Sequence, residues 1–535
     1  MTGGPEAERT RSKGPPVDRP AMSVLDAVIF DLDGVVTFTA RLHAAAWKEL
    51  FDGFLRSWSQ RAGEPFREFT DEDYWRHVDG RPRLEGVRSF LTSRGISLPE
   101  EGAGQNETVA ALGTRKNAVF HRLLTERGVE VDHDAVRFIR QLREQEIPVG
   151  VASSSRNTRV ILARAGLDDL FDARVDGEVS ARLRLAGKPA PDIFLACLDL
   201  LGAEDPQNAV VVEDAAVGVR GGRAGDFGLV VGVDRQRNHL ALREAGADWV
   251  IRSFADLSPA PITEWLANRQ FARPNALAHF DDLEQALDGR TPALFLDYDG
   301  TLTPIVARPD LATLSGAMRE ALRRVAQAWP TTVVSGRGRE DVTALVGIPE
   351  LHYAGSHGFD IAGPRVKGGR HEVDPALVPI VTAAAAEMRR RTSALAGVIV
   401  EDKKYAVAVH YRLVEDDLIA EVERQVDEVL RDMPELRKAG GKKVFELRPA
   451  IPWDKGRAVL WLLREFGLDR PDVVPVYVGD DETDEDAFGA LENRGIGILV
   501  TDLPRPTRAS LSLQDVEEVG MLLERLAVLR ETAAS

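Results

Sequence analysis

The chain has 535 residues, enough for about three to four domain-sized units, and 44% of them are apolar, the share of an ordinary globular protein. Its 85 Asp and Glu outnumber 68 Lys and Arg, giving a net charge of −17, which argues against duplex nucleic acid and anionic membrane as partners and favours cations such as Mg²⁺. No apolar run approaches the roughly 18 residues of a membrane span. The single cysteine, Cys197, excludes intrachain disulfides; within DIFLACLDLLG it reads as a small core residue, and a reducing cytoplasm is the expected compartment.

In chain order, residues 1–22 are rich in Pro, Gly and charge and read as a disordered tail without the apolar stretch of a signal peptide; Met22 is a candidate start. Val28-Ile29-Phe30 is a short apolar run of the kind that forms a buried parallel strand, and it ends in Asp31-Leu32-Asp33-Gly34. Residues two apart on a strand share a face, so the two carboxylates converge. Beside Mg²⁺ such a pair can divide phosphoryl transfer, one attacking phosphorus and the other exchanging a proton with the ester oxygen. Taken alone, an Asp-Gly turn after a core strand accounts for the same residues. About 120 residues then precede the next convincing strand, Ile147–Ala152, too many for a loop. The amphipathic runs between them, HAAAWKELFDGFL, VRSFLTSRG and NAVFHRLLTERG, predict an inserted helical subdomain. That second strand ends in Ser153, Ser154, Ser155, Arg156 and Asn157, a setting suited to phosphate oxygens, although an N-cap serine would explain one of them. Lys188, in GKPAPDIF before a helix, can place a point charge beside both the attacking carboxylate and the phosphate. The strand Ala209–Val212 runs into Glu213 and Asp214, carboxylates of the kind that complete a Mg²⁺ shell.

Residues 258–285 combine loop prolines with one predicted helix and read as a linker. Beyond them the first pattern recurs: Ala293–Leu296 ends in Asp297-Tyr298-Asp299-Gly300. The spacing, however, inverts. Thr331–Val334 ends in Ser335-Gly336-Arg337 only about 38 residues on, whereas the gap from there to Asp454-Lys455-Gly456 is again about 120. A recent tandem duplication keeps its insertions in place, so the halves read as two distinct branches joined by fusion. Inside the second insertion, VIVEDKKYAVAVHYR and KKVFELRPAI alternate like antiparallel strands around helical runs, which predicts an α+β lid. Val474–Val478 leads into Asp480, Asp481, Glu482 and Asp484; such a run is costly at a strand end unless a cation sits there, and a solvated acidic loop is the alternative. His357, in GSHG, either borders the site or is a loop histidine satisfied by backbone.

Asp-x-Asp, a strand-end Ser, a Lys before a helix and a strand-end acidic pair, in that order, resemble the haloacid dehalogenase superfamily of phosphotransferases. In the first half DLDGVVT, His43 and Trp47, DGRPR, Arg115 to Asn117, ASSSRN, GKPAPDIF and VVEDAAVGV resemble the β-phosphoglucomutase branch. That resemblance implies Asp31 as nucleophile and Mg²⁺ ligand, Asp33 as acid/base and at the metal, Ser153 and Lys188 at the transferring phosphate, and Glu213 and Asp214 at the metal. Arg83, Ser155, Arg156 and Asn157 would grip the non-transferring phosphate. Phe38 stands where the branch has an acidic hinge residue, a departure that leaves the chemistry intact and bears on cap closure, so that mutase and simple hydrolase behaviour both stay open; a purely regulatory role is a separate alternative. In the second half LDYDGTLTPI, VSGR, GSHG, HYR, ELRP, DKGRAV and GDDETDEDAF resemble trehalose-6-phosphate phosphatase. The implied roles are Asp297 nucleophile, Asp299 acid/base, Ser335 and Lys455 phosphate clamps, Asp297, Asp299 and Asp480 around Mg²⁺ with Asp481 and Asp484 near, and Lys404, Glu446 and Arg448 reading sugar hydroxyls. The expected architecture is α/β: two haloacid dehalogenase-like parallel-sheet cores, 23–257 with a helical cap at about 38–115 and 286–535 with an α+β cap at about 360–452. The expected substrates are small sugar phosphates, and the alternative is a phosphatase for another sugar phosphate whose N-terminal half is only a scaffold.

Overall fold

The computed structural model describes residues 24–533 apart from 79–80, 82, 103–106, 256, 307 and 442; the tail expected at 1–22 lies outside the described residues. The chain divides into two compact units between Ala267 and Asn268. Residues 258–285, expected as a linker, are instead absorbed into both units. The helix Pro259–Asn268 packs on the first through Trp265, whose indole N–H donates to the Gly228 carbonyl at 3.3 Å and whose ring meets Trp249 edge-on. Residues 274–276 run along Ser512 of the second, exchanging backbone hydrogen bonds of 2.8 and 2.9 Å.

In the first unit six parallel strands are β1 (Ala27–Phe30), β2 (Val149–Ala152), β3 (Ala173–Val175), β4 (Ala209–Glu213), β5 (Leu229–Val233) and β6 (Trp249–Ile251), in the order β3-β2-β1-β4-β5-β6. Strand β1 is buried at every position, as a central strand covered on both faces must be. Because β1 lies between β2 and β4, the C-terminal ends of these three strands bring Asp31, Ser153 and Glu213 to one edge of the sheet, where open α/β sheets hold ligands. The insertion after Asp33 contains helices Ala40–Ala62, Asp71–His77, Arg83–Ser93 and Val109–Arg127. It has its own core, in which Phe51 and Phe90 lie 4.2 Å apart between ring centroids. The expected cap boundary at 115 falls inside the last of these helices, and the chain returns to the core only at 130–132. There the Phe38 amide donates to the Glu130 carbonyl and the Asp132 amide to Val36, both at 2.9 Å.

The second unit has an eight-stranded sheet of β7 (Thr291–Leu296), β8 (Thr331–Val334), β9 (His352–Gly355), β10 (Asp360–Ala362), β11 (Arg370–Glu372) and, after an insertion, β16 (Val473–Gly479), β17 (Ile496–Val500) and β18 (Leu511–Leu513). Its order is β11-β10-β9-β8-β7-β16-β17-β18, with only β9, β10 and β11 paired antiparallel. The inserted layer is a four-stranded antiparallel sheet, β12 (Ile399–Asp402), β13 (Val407–His410), β14 (Leu436–Gly441) and β15 (Val444–Pro449), in the order β12-β13-β15-β14. Helices Val378–Thr392 and Ile419–Asp432 cover it, closing a separate apolar core. The cap thus starts after Glu372 and not at about 360, because β10 and β11 extend the main sheet.

Candidate active sites

In the second unit β7 delivers Asp297, β8 Ser335 and β16 Asp480, the same three strand ends as in the first. Gly300 has φ +85, and a Cβ there would fall 2.2 Å from the Asp480 carboxylate; Gly34 has φ +90, and its Cβ would fall 1.8 Å from Asp214. Each Asp-Gly turn therefore needs glycine both for its backbone and for the acidic side chain pressed against it.

Lys455, at the first position of the helix Lys455–Glu465, is buried and donates to Asp297 Oδ1 at 2.9 Å and to Asp484 Oδ1 at 2.7 Å. Asp484 also accepts from the Tyr477 hydroxyl at 2.6 Å and from the backbone amides of Asp480 and Asp481 at 3.0 and 2.9 Å. Burial raises Asp297 well above the carboxylate range, against Lys455 and with help from Asp484 and Asp480. Burial pulls Lys455 down, but Asp297 and Asp484 outweigh it and hold the ammonium above the lysine range.

Oxygens of Asp297, Asp480 and Asp484 lie within 4.8 Å of one another, and among the described residues this is the one such group of acidic, His or Cys side chains. The all-oxygen set suits a hard divalent cation, and the raised Asp297 is the electrostatic sign that positive charge fits there. Because Asp484 already accepts four hydrogen bonds, Asp297 and Asp480 are the better placed direct ligands. Asp299 differs from its expected metal role: both its oxygens are held by Arg337, at 2.7 Å each, and Arg337 is itself braced by Asp341 at 3.1 Å and lies over the Tyr298 ring. Arg337, one residue past Gly336 in the predicted phosphate loop, was not among the expected site residues.

A cavity of about 170 Å³ opens in front of these groups, lined by Asp297, Asp299, Arg337 and Lys455 from the core and by Lys403, Glu446 and Arg448 from the cap. Glu446 is buried and bonded to Lys403 at 2.7 Å, Arg448 Nε at 2.7 Å and His357 Nε2 at 3.0 Å. Burial pushes Glu446 up, but Lys403, Arg448 and His357 together hold it well below the carboxylate range. Lys404, expected to read sugar, instead pairs with Glu372 away from the cavity, while its neighbour Lys403 takes the inward place. The reason is local: after β12 the chain turns at Lys404 with φ +69, so strand alternation does not continue through it. Ser335 is buried, and its Oγ accepts from the Arg337 amide at 3.1 Å.

In the first unit Lys188 Nζ lies 2.5 Å from both Asp31 Oδ1 and Glu213 Oε1. Burial raises Asp31 to about 7, opposed by Lys188 and reinforced by Glu213 and Asp33. Asp33 accepts from Thr39, and Ser153 Oγ accepts from the Ser155 amide at 3.1 Å. Asp214 sits against Gly34, but Asp31, Asp33, Glu213 and Asp214 do not bring three ligand oxygens within 4.8 Å of one another. On the cap side Arg83 has a buried Nε without a hydrogen bond, and Asn157 reaches across to Asn117 at 3.1 Å. Ser155 Oγ accepts from the Asn157 amide, and Arg156 packs its side chain over Gly177. Lys116, within the segment Arg115 to Asn117 but given no role there, is buried, lies 2.7 Å from His43 Nδ1 and is lowered to about 7 by burial and by Arg83.

Two cores built on parallel central strands, with paired Asp and a Ser at corresponding strand ends and a Lys before or at the start of a helix, make each unit a haloacid dehalogenase-like domain. The family described as haloacid dehalogenase-like hydrolase matches residues 25–226, and trehalose-phosphatase matches residues 295–517. Trehalose 6-phosphate phosphatase RA3 of Zea mays is 45% identical over 269 residues, 48% of this chain and 74% of the relative. Through its C-terminal half the chain belongs to the trehalose-phosphatase family. An uncharacterized glycosyl hydrolase of Mycobacterium tuberculosis is 40% identical over 485 residues, 89% of this chain; the chain spans 36% of that relative's length. Among solved structures, the C-terminal domain of a Candida albicans trehalose-6-phosphate phosphatase is 23% identical over 46% of this chain and 96% of its own, with a TM-score of 0.40. A β-phosphoglucomutase of Clostridium difficile is 24% identical over 46% of this chain and 99% of its own, with a TM-score of 0.37.

Proposed function

We propose that the C-terminal unit hydrolyses trehalose 6-phosphate to trehalose and phosphate with Mg²⁺, through a phosphoryl group carried on Asp297. The supporting observation is that a single cavity joins Asp297, Asp299 and Lys455 to the cap residues Lys403, Glu446 and Arg448. A bound Mg²⁺, for which Asp297 and Asp480 are the suited ligands, supplies positive charge against the phosphoryl oxygens. Asp297 attacks phosphorus as the bond from phosphorus to the sugar oxygen breaks, and Asp299 gives its proton to that oxygen. Asp299 then takes a proton from water, which attacks phosphorus, breaks the bond to Asp297 and releases phosphate. For this Asp299 must leave Arg337, and the incoming phosphate dianion is the natural competitor for that guanidinium. The charged cap residues, Glu446 and Arg448 buried and Lys403 half-buried, read the sugar hydroxyls. A panel of sugar phosphates ranked by kcat/KM with Mg²⁺ tests the reading. Trehalose 6-phosphate should lead and Asp297→Asn should abolish turnover with the fold intact; preference for another sugar phosphate overturns it.

For the N-terminal unit we infer a sugar phosphomutase or phosphatase acting on β-glucose 1-phosphate. A mutase needs a second anion site, and the favouring observation is that Arg83 neighbours both Arg156 and Lys116, Lys116 neighbours Asp33, and Asn157 reaches the cap at Asn117. β-Glucose 1-phosphate with a trace of the 1,6-bisphosphate should yield glucose 6-phosphate, and Arg83→Ala should slow this. Faster release of inorganic phosphate would make the unit a phosphatase, and no turnover of either kind would leave it a scaffold.

A further inference from the structure

His357 carries two features that a merely structural loop residue does not need. It and Ser356 are consecutive non-glycine residues in the left-handed region, with φ of 57 and 49. Such backbone is uncommon outside glycine, and two such residues in succession need contacts that hold them. Its ring is buried, with Nδ1 lacking any hydrogen-bond partner.

The surroundings that hold this backbone are the two ends of the cavity. On the phosphate side the His357 amide donates to the Ser335 carbonyl at 2.9 Å and the Ser356 amide to the Arg337 carbonyl at 2.7 Å. The ring lies on Gly336, where a Cβ would stand 2.8 Å from His357 Cε1. On the sugar side the Ser356 hydroxyl donates to the Lys403 carbonyl at 2.7 Å, and His357 Nε2 meets Glu446 at 3.0 Å. Burial and Arg448 lower the imidazole to about 3, so near neutral pH it carries one proton. The bond to a carboxylate assigns that proton to Nε2.

We propose that His357 is a positioning residue that orients Glu446 toward the sugar of the substrate from a ring seated on the phosphate loop, so that selectivity for sugar phosphates over small phosphate esters depends on it. This rests on the reading of the C-terminal unit as a sugar-phosphate phosphatase. Lys403 and Arg448 neutralise Glu446 but sit on flexible stems within the cap; His357 is the contact from the core, and it fixes where the carboxylate stands relative to Ser335 and Arg337.

The test uses the full chain and three variants, each checked for folding by its melting temperature. Glycine and asparagine accept φ near +57 at least as well as histidine, but both give up the buried ring and its bond to Glu446, so His357→Gly and His357→Asn should fold and melt somewhat below wild type. Glutamine can place an amide N–H where Nε2 stands, whereas asparagine reaches only the position of Nδ1. The readout is kcat/KM for the sugar phosphate that the wild type prefers, divided by kcat/KM for p-nitrophenyl phosphate. That ratio should fall about 10-fold or more in His357→Gly and His357→Asn and stay within about threefold in His357→Gln. In a Glu446→Gln background the His357→Asn change should have little further effect. An unchanged ratio in the glycine and asparagine variants, a folded glutamine variant no better than asparagine, or multiplying effects with Glu446→Gln each overturn the proposal. Should His357→Gln not fold, the asparagine variant and the double variant still decide. A wild-type preference for a different sugar phosphate would overturn the trehalose reading and leave this ratio as the test of His357; no turnover of any sugar phosphate would overturn both.

Discussion

Replacing Lys455 by Met removes one buried charge and leaves two. Lys455 is 2% exposed, and its ammonium is shared between Asp297 at 2.9 Å and Asp484 at 2.7 Å. Methionine fills much the same space, so the loss is electrostatic and not a cavity. Asp484 keeps Tyr477 and two backbone amides, but the Asp297 carboxylate has no other side-chain partner among the described residues' hydrogen bonds. Removing one member of a buried ion cluster costs about 3–5 kcal/mol. At about 2–4 °C per kcal/mol for a unit of this size, the C-terminal transition should drop by roughly 6–20 °C in EDTA. Calorimetry of the full chain measures it, with the transition of the N-terminal unit as internal control. Asp297→Asn neutralises the carboxylate that Lys455→Met orphans, so the double variant should recover about 1–3 kcal/mol. Millimolar Mg²⁺ should also recover part of the loss, by about 2.7 kcal/mol at a hundredfold excess over its Kd. A Lys455→Met variant melting within about 1 °C of wild type in EDTA would refute the reasoning, because it would mean that the carboxylates are not held as charges.

Tyr477→Phe deletes the buried hydroxyl that donates to Asp484 at 2.6 Å and should cost about 1–3 kcal/mol and lower kcat, read by melting and by phosphate release. Asp299→Asn should lower kcat on a sugar phosphate by about 10²–10⁴-fold and spare p-nitrophenyl phosphate more, because a phenolate leaves without a proton; equal losses on both would remove Asp299 as acid. Burial lowers Lys116 to about 7, so the folded unit prefers its neutral form while the unfolded chain still holds the proton up to the ordinary lysine value of 10.5. Stability of the N-terminal unit should therefore rise as pH climbs from about 7 toward 10, and Lys116→Met should flatten that slope in urea unfolding at pH 7 and 9.

The parts of the fold and sites that could be read from sequence were those set by local period and spacing. The apolar run before Asp31 and its counterpart before Asp297 are fully buried central strands, and the inverted gaps separated a helical cap from an α+β one. What escaped reading was set by backbone turns and by contacts far apart in sequence. Lys403 and Lys404 are adjacent and chemically alike, and only a left-handed turn decides which faces the cavity. Arg337 and Asp299 are 38 residues apart, and Tyr477 lies inside an apolar strand whose pattern conceals a hydroxyl aimed at Asp484. His357 stood in the motif itself, but its bond to Glu446 spans 89 residues, and no spacing rule reports it. Within residues 258–285 the one expected helix is present, but the groups that tie the two ends of this segment down lie far away in sequence: Trp265 bonds Gly228 of the first unit, and Asn275 bonds Glu518 at 2.8 Å in the second.

The point of insertion determines which side of the site each cap can serve. In the first unit the insertion follows Asp33 directly, so its hinge is the turn that carries Asp33, and Thr39 in that hinge hydrogen-bonds Asp33. Thr39, the N-cap of the first cap helix, thus ties Asp33 to the cap, and Lys116 of the cap acts on it electrostatically. In the second unit the turn after Asp299 stays within the core, and Asp299 is restrained by a core guanidinium instead. That cap enters after β11, on the side of the phosphate loop, and meets the core through His357 and Ser356. A domain that must admit a phosphate and let it turn over benefits from an acid/base tied to its lid. One that only hydrolyses benefits from a lid tied to the sugar, with the acid/base freed when phosphate draws Arg337 away. On this argument Thr39→Val should impair closure-dependent chemistry in the N-terminal unit by about 10-fold or more, while leaving the C-terminal unit's kcat/KM unchanged. Equal effects on both activities of the full chain would refute the assignment of separate hinges.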